Sequence, residues 1–265
     1  MAKPAPKVVA ITGASAGLGA ALARAYAGPG MTIAITGRDI SRLKQVGADC
    51  EVRGATVVSK AVDVTDHRSL SSWFDTLETH HPLDLLIVNA GVFTGHGADG
   101  SLETAEEIAW QIRTNLEGAA NTINAALPYM RRRRNGHIAV IGSLAALQPL
   151  ADAPGYSASK AGVMSYGEAL REYLIEEGIT VTLVYPGHIE TAQVADHVGA
   201  LPLLVTAEKA AAIIKRGLDR RRTFIAFPRR LLWLIRAGRA LPWRIRAALG
   251  GDFRFKVRKG TPLDN

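Results

Sequence analysis

The amino-acid sequence predicts an α/β fold, a doubly wound parallel sheet of about seven strands with helices on both faces. Three observations predict it. Short apolar runs alternate with helical patterns along the chain, the rhythm of a sheet built from crossover connections. Those runs are continuous rather than alternating, as in strands buried on both faces. The 265 residues are 48% hydrophobic, with no internal repeat and no low-complexity linker, which suits one large core.

Taken in order, the expected strands are "KVVAIT" (7–12), "MTIAIT" (31–36), "ATVVSKAVDV" (55–64), "LDLLIVNAG" (83–91), "GHIAVIGS" (136–143), "ITVTLVYPG" (179–187) and "TFIAF" (223–227). Each is rich in Val or Ile and bounded by Gly, Asp or Pro. Between them, helices are expected at 17–27, 39–53, 66–80, 102–132, 154–177 and 206–220, with Asp39 and Asp66 as N-caps. Residues 1–227 read as a single dinucleotide-binding domain, and 228–265 as an extension rather than an independent domain.

Composition narrows the class. The single cysteine, Cys50, excludes an internal disulfide and fits a reducing compartment. With no motif around it, Cys50 reads as a packing residue. The first apolar run is too short for a secretory signal, and no uninterrupted apolar stretch is long enough to span a bilayer. A cytoplasmic protein is expected, with peripheral membrane contact left open. The net charge of +8 is uneven: residues 215–265 carry 15 Lys or Arg against Asp219, Asp252 and Asp264, so a mildly acidic body bears a basic tail.

The turn "TGASAGLG" (12–19) follows the first strand and opens a helix. Gly13 permits a tight turn, Gly17 lets backbone approach a ligand, and Gly19 lets the helix lie on the sheet. Amides at the helix start suit a pyrophosphate, although a bare strand-to-helix connection would also use glycines. The spacing is T-G-x-x-x-G-x-G, and here the chain resembles the short-chain dehydrogenase/reductase family. The resemblance implies a Rossmann-type fold, a nicotinamide dinucleotide held by this turn with Ser15 and Leu18, and no metal. It spans roughly residues 7–227.

Further motifs follow in the family's order. After "ITGR", Gly37 stands where NAD-preferring relatives carry an acid, and Arg38 suits a ribose 2′-phosphate. NADP(H) is the expected cofactor, with Asp39 the one adverse charge. Asp63 and Val64 match the family's adenine-contacting pair, though Asp63 also suits a turn. Asn89, Ala90 and Gly91 match the motif that steadies the sheet beside the cofactor. Pro186, Gly187, Ile189 and Thr191, in "PGHIET", match the segment beside the nicotinamide. His188 between them reads as a pocket wall.

The stretch "YSASK" places Tyr156 and Lys160 on one face of a helix, one turn apart. A nearby ammonium lowers the pKa of a phenol, which fits it for proton exchange near neutrality. Ser143 matches the family's carbonyl-polarising serine. Asn115 matches the asparagine that holds a water in a relay toward the lysine. The implied reaction is hydride transfer between cofactor and an apolar ketone, aldehyde or alcohol. The segments 92–100, 144–154 and 192–204 are expected to shape the substrate pocket, and His96 and Gln148 to add polar contacts. A non-catalytic dinucleotide sensor on the same scaffold is the alternative. A homodimer or homotetramer through the long helices is expected from the resemblance.

"RRRR" (131–134) reads as a solvated helix end. The acid-free stretch "PRRLLWLIRAGRALPWRIRAALGG" (228–251) interleaves six Arg with Leu, Ile and two Trp. Pro228 is expected to start a helix, and Gly238 and Pro242 to interrupt it. Two readings stand: an amphipathic element on an anionic membrane surface, or a segment packed on a subunit to close the pocket. Nucleic acid is the weaker third.

Overall fold

The structure is a computed structural model that describes residues 6–191, 197–198, 203–245 and 256–257. Seven strands form the central sheet: β1 (Val8–Thr12), β2 (Thr32–Gly37), β3 (Thr56–Ala61), β4 (Leu85–Val88), β5 (Gly136–Ile141), β6 (Ile179–Pro186) and β7 (Phe224–Phe227). They lie in the order β7-β6-β5-β4-β1-β2-β3, and every neighbouring pair is parallel. The chain winds outward from β1 through β2 and β3, then returns to set β4 on the other side of β1. That reversal opens a crevice beyond the carboxyl ends of β1 and β4.

Among the described residues, eight helices cover the sheet: α1 (Gly17–Tyr26), α2 (Ile40–Val52), α3 (His67–His80), α4 (Ala105–Ile112), α5 (Gly118–Arg133), α6 (Pro154–Leu174), α7 (Ala207–Asp219) and α8 (Arg229–Arg239). The period of two along β1 feeds two cores. Val9 and Ile11 pack with Leu22, Leu43 and Ile214 from α1, α2 and α7. Val8 and Ala10 face Trp73, Phe74, Ile123 and Val163 from α3, α5 and α6. Burying each such Leu or Ile stabilises the fold by about 1.5–3 kcal/mol, which is why continuous apolar strands demand helices on both sides. Cys50 is a buried packing residue.

Asp39 and Asp66 cap α2 and α3 as expected, accepting from the amides of Arg42 and Ser69. The expected helix at 102–132 is instead two. A capping box of Thr104 and Glu107 starts α4, and a π-helical turn, Arg113–Glu117, separates it from α5. The Arg131–Arg134 run is not simply solvated: Arg131 pairs with Glu177, Arg133 with Glu78, and Arg134 donates to the Glu176 carbonyl. In the tail, Pro228 is the N-cap of α8 rather than its first residue, and the helix runs through Gly238 before Pro242 stops it.

Candidate active site

A cleft of about 1330 Å³ lies over the crevice. The turn after β1 forms its floor. Gly13 has φ +65°, and a Cβ there would lie 2.7 Å from the Ala90 Cα. Gly17 has φ +53°, and a Cβ there would press on Thr191 at 3.1 Å. Only glycine fits both the conformation and the space. Asn89 bolts this turn to β4: its Nδ2 donates to the carbonyls of Thr12 and Gly13, while the amides of Asn89 and Ala90 donate to Thr12 Oγ1. Gly19 lies against Asn89 Nδ2, so α1 sits tight on the sheet. The N-cap of α1 is Ala16, which has no capping side chain, and no acid occupies the first turn. Leu18 and Gly91 complete this part of the wall. Uncapped amides at a helix start above a glycine-lined floor fit a pyrophosphate.

At the end of β2, a Cβ on Gly37 would lie 3.1 Å from Ser15 Oγ, so a carboxylate side chain would crowd that hydroxyl. Arg38 and Arg42 both line the cleft here. Arg42 escaped the sequence motif, although it sits one helical turn beyond Arg38. Asp39 is turned away from a ligand role: one oxygen caps α2 and the other lies 3.2 Å from Arg42 Nε. Asp63 and Val64 line the same end. Asp63 Oδ1 also closes a turn by accepting from Thr65 N and Oγ1, both at 2.8 Å. Pro186, Gly187, His188, Ile189 and Thr191 form the wall opposite the glycine turn.

Ser143, Tyr156 and Lys160 line the same cleft. Ser143 follows β5, and its Oγ accepts from Ala145 N at 3.0 Å. Its hydroxyl stands close enough to the Tyr156 phenol to favour the phenolate. The Tyr156 ring meets Phe93 edge-on, with centroids 4.8 Å apart. Lys160 is buried one turn below, its Nζ donating to the Ile141 carbonyl at 3.2 Å and lying 5.8 Å from the Tyr156 ring centroid.

Two expectations change. Burial raises the Tyr156 pKa above its ordinary 10.0, and the Ser143 hydroxyl opposes that shift only in part. The cation does not bring the phenol down within the protein alone, because it is itself desolvated: burial pushes the Lys160 pKa down to about 8. Asn115 is only 1% exposed, and its amide is hydrogen-bonded within the protein. Its Oδ1 accepts from Val92 N at 2.7 Å, and its Nδ2 donates to the Val92 carbonyl and Ser159 Oγ, each at 2.9 Å. The side chain ties the π-turn to the segment after β4 and to α6.

Sequence reasoning also missed Glu103. Its Oε2 accepts from Gly155 N at 2.9 Å and its Oε1 from Gln111 Nε2 at 2.8 Å. This buried carboxylate stands at the start of α6, where Ala153 has no capping group. His96 serves the same loop rather than the pocket: its Nδ1 accepts from Glu103 N at 3.2 Å. The signal was faint, a lone acid in a loop 52 residues from its partner. Gln148 does line the cleft. Within the expected pocket segment 192–204, residues 192–196 and 199–202 lie outside the described residues. A wall that the sequence left undecided comes from the tail: Leu231, Leu234, Ile235, Leu241 and Trp243 line the cleft mouth.

The family model for short chain dehydrogenases matches residues 7–199. The chain belongs to the short-chain dehydrogenase family. It is 32% identical over 248 residues to an uncharacterized oxidoreductase of Myxococcus xanthus, covering 91% of this chain and 95% of that one. It is 34% identical over 187 residues to 3-dehydrosphinganine reductase TSC10B of Arabidopsis thaliana, covering 69% of this chain and 55% of the relative. Among solved structures, a short-chain dehydrogenase from Sphingobium yanoikuyae in complex with NADPH superposes with TM-score 0.75 at 26% identity, over 97% of this chain and 98% of that one. A family member from Burkholderia phymatum in complex with NAD has TM-score 0.77 at 24% identity, over 87% and 92%. As a short-chain dehydrogenase the chain is an oxidoreductase, and a nicotinamide dinucleotide is the cofactor its relatives support.

Proposed function

We propose that this short-chain dehydrogenase interconverts an apolar ketone or aldehyde and its alcohol, using NADP(H). The observation that carries the reading is that Ser143, Tyr156 and Lys160 line one cleft with the glycine turn, the Ser143 hydroxyl beside the Tyr156 phenol and Lys160 buried one turn below. NADPH, when bound, supplies the hydride that reduces the carbonyl carbon. Ser143 donates to the carbonyl oxygen and stabilises its growing negative charge. Tyr156 delivers the proton to that oxygen. The phenol is protonated at neutral pH and so can act as the acid in carbonyl reduction. Lys160 holds the nicotinamide ribose and orients it against Tyr156. Asn115 is a positioning residue that locks the π-turn under α6.

The preference for NADP(H) rests on Arg38, Arg42, Ser15 and Gly37 at the end of β2: two guanidiniums and a hydroxyl, with a glycine where a carboxylate would crowd Ser15. An apolar substrate is supported by Phe93, Leu144, Leu150, Leu231 and Ile235 around the reacting end. The named activity of the Arabidopsis relative, reduction of 3-dehydrosphinganine, is of the same chemical kind. Residues 1–227 form the catalytic domain in this reading and 228–265 an extension, from which Leu231, Leu234, Ile235, Leu241 and Trp243 line the cleft mouth. Oligomers assemble through α5 and α6, which the mass in solution tests.

The decisive experiment is NADPH consumption with a panel of hydrophobic ketones. Tyr156→Phe removes the proton donor and should lower kcat by about 10²–10⁴-fold with cofactor binding retained. Unchanged turnover would refute the assignment. Cofactor binding with no turnover on any substrate would favour the sensor.

A further inference from the structure

Helix α8 and residues 241–245 have two faces. On the inner face, Leu232 is buried in the core and Leu231 and Ile235 pack against it. Arg239 donates to the Leu147 carbonyl, clipping the helix to the segment after β5. The outer face is apolar and open. Trp233 is 64% exposed, Leu234 63%, Trp243 66% and Ile245 48%. These are large side chains, gathered in one short element at the mouth of the cleft, and not the scattered single exposures normal for a surface.

Arginines flank them. Arg229, Arg230, Arg236 and Arg244 are exposed, and among the described residues none of them pairs with a carboxylate. Arg236 lies 6.0 Å from the Trp233 ring centroid and Arg244 lies 5.5 Å from that of Trp243. Tryptophan with an adjoining guanidinium is the pattern of a headgroup boundary: the indole enters the interface while the charge stays at headgroup level. A nucleic acid would use the charges but would leave the Leu, Ile and Trp side chains in water. A second copy docked face to face would set arginines against arginines.

We propose that the outer face of α8 and residues 241–245 docks the mouth of the cleft onto an anionic lipid bilayer. Leu234, Leu241 and Trp243 belong both to that face and to the cleft wall, so an apolar molecule passes between bilayer and cleft along a continuous apolar path. The docking does not depend on the reaction proposed above and is tested without substrate.

The test is co-sedimentation of the full chain with vesicles of phosphatidylcholine, with and without phosphatidylglycerol, at low and high salt. Pelleting is expected only with phosphatidylglycerol, weakening as salt rises. Arg229→Gln and Arg230→Gln should each lower the partition constant about fivefold, and Trp233→Ser should lower it as well. None of these three side chains lines the cleft, so folding is checked by NADPH binding. Protein that stays in the supernatant with anionic vesicles at low salt overturns the proposal. Binding unchanged by Trp233→Ser also overturns it, since it would then be adsorption by charge alone. So does a dimer in which Trp233 is shielded from a quencher before any vesicle is added, since a second copy would then be the occupant.

Discussion

At the scale of single residues, the two titrating groups of the site are both shifted by burial, in opposite directions of charge. A phenol pushed above 10 stays an acid, and an ammonium pushed down to about 8 loses its proton in a working pH range. Lys160 is a base with a depressed pKa, so its cation is present below pH 8 and lost above it. The value of kcat/KM for NADPH reports the free enzyme. It should be flat through neutrality and fall above an apparent pKa near 8. A steady-state pH profile checks this; no falling limb up to pH 10 would remove Lys160 from cofactor binding. The tyrosine and lysine were legible from helical period, a local property, taken together with Ser143 and Asn115 in the family's order. The direction of the tyrosine shift was not, because it depends on what the rest of the fold packs around the ring.

At the scale of elements, the start of α6 decides where Tyr156 stands. The helix opens Ala153-Pro154-Gly155 and has no local capping oxygen, so its amides need a partner from elsewhere. Glu103 supplies it, and Gln111 holds Glu103 while accepting from Thr94 N. Glu103→Ala would leave buried donors unsatisfied and should cost about 1–3 kcal/mol of stability. Denaturant unfolding measures that loss. With Tyr156 displaced, kcat should fall while the KM for NADPH holds, since the glycine turn is untouched. The expected strands and helices were mostly visible from apolar runs and caps. The break at 113–117 was not, since an asparagine in a helical pattern reads as solvent-facing. The three hydrogen bonds that make Asn115 worth burying come from the segment after β4 and from α6.

At the scale of the whole molecule, a ligand that binds only the folded chain stabilises it by mass action. At about a hundred times its Kd, NADPH should add about 2.7 kcal/mol, which raises Tm by about 5–10 °C for a domain of this size. NADH at the same concentration should add less. Arg38→Ala combined with Arg42→Ala should erase most of the difference between the two, because it removes both cations assigned to the 2′-phosphate. A thermal shift equal for both cofactors in the unmodified protein would make the chain indifferent to that phosphate. The uneven charge acts at this scale too. Among the described residues Arg229, Arg230, Arg236 and Arg244 meet no carboxylate.

The sequence by itself determined the layered α/β fold, the glycine turn, the tyrosine–lysine pair and the order of the motifs. Each is written in near-neighbour spacing, through helical period, strand burial and turn conformation. Only the tertiary structure decided that Arg42 joins Arg38, that Glu103 caps α6, that Asn115 ties the segment after β4 to α6 and that α8 walls the cleft. Those contacts join residues that are distant in sequence or on different elements, and only the parallel sheet, by fixing where each element ends, brings them together.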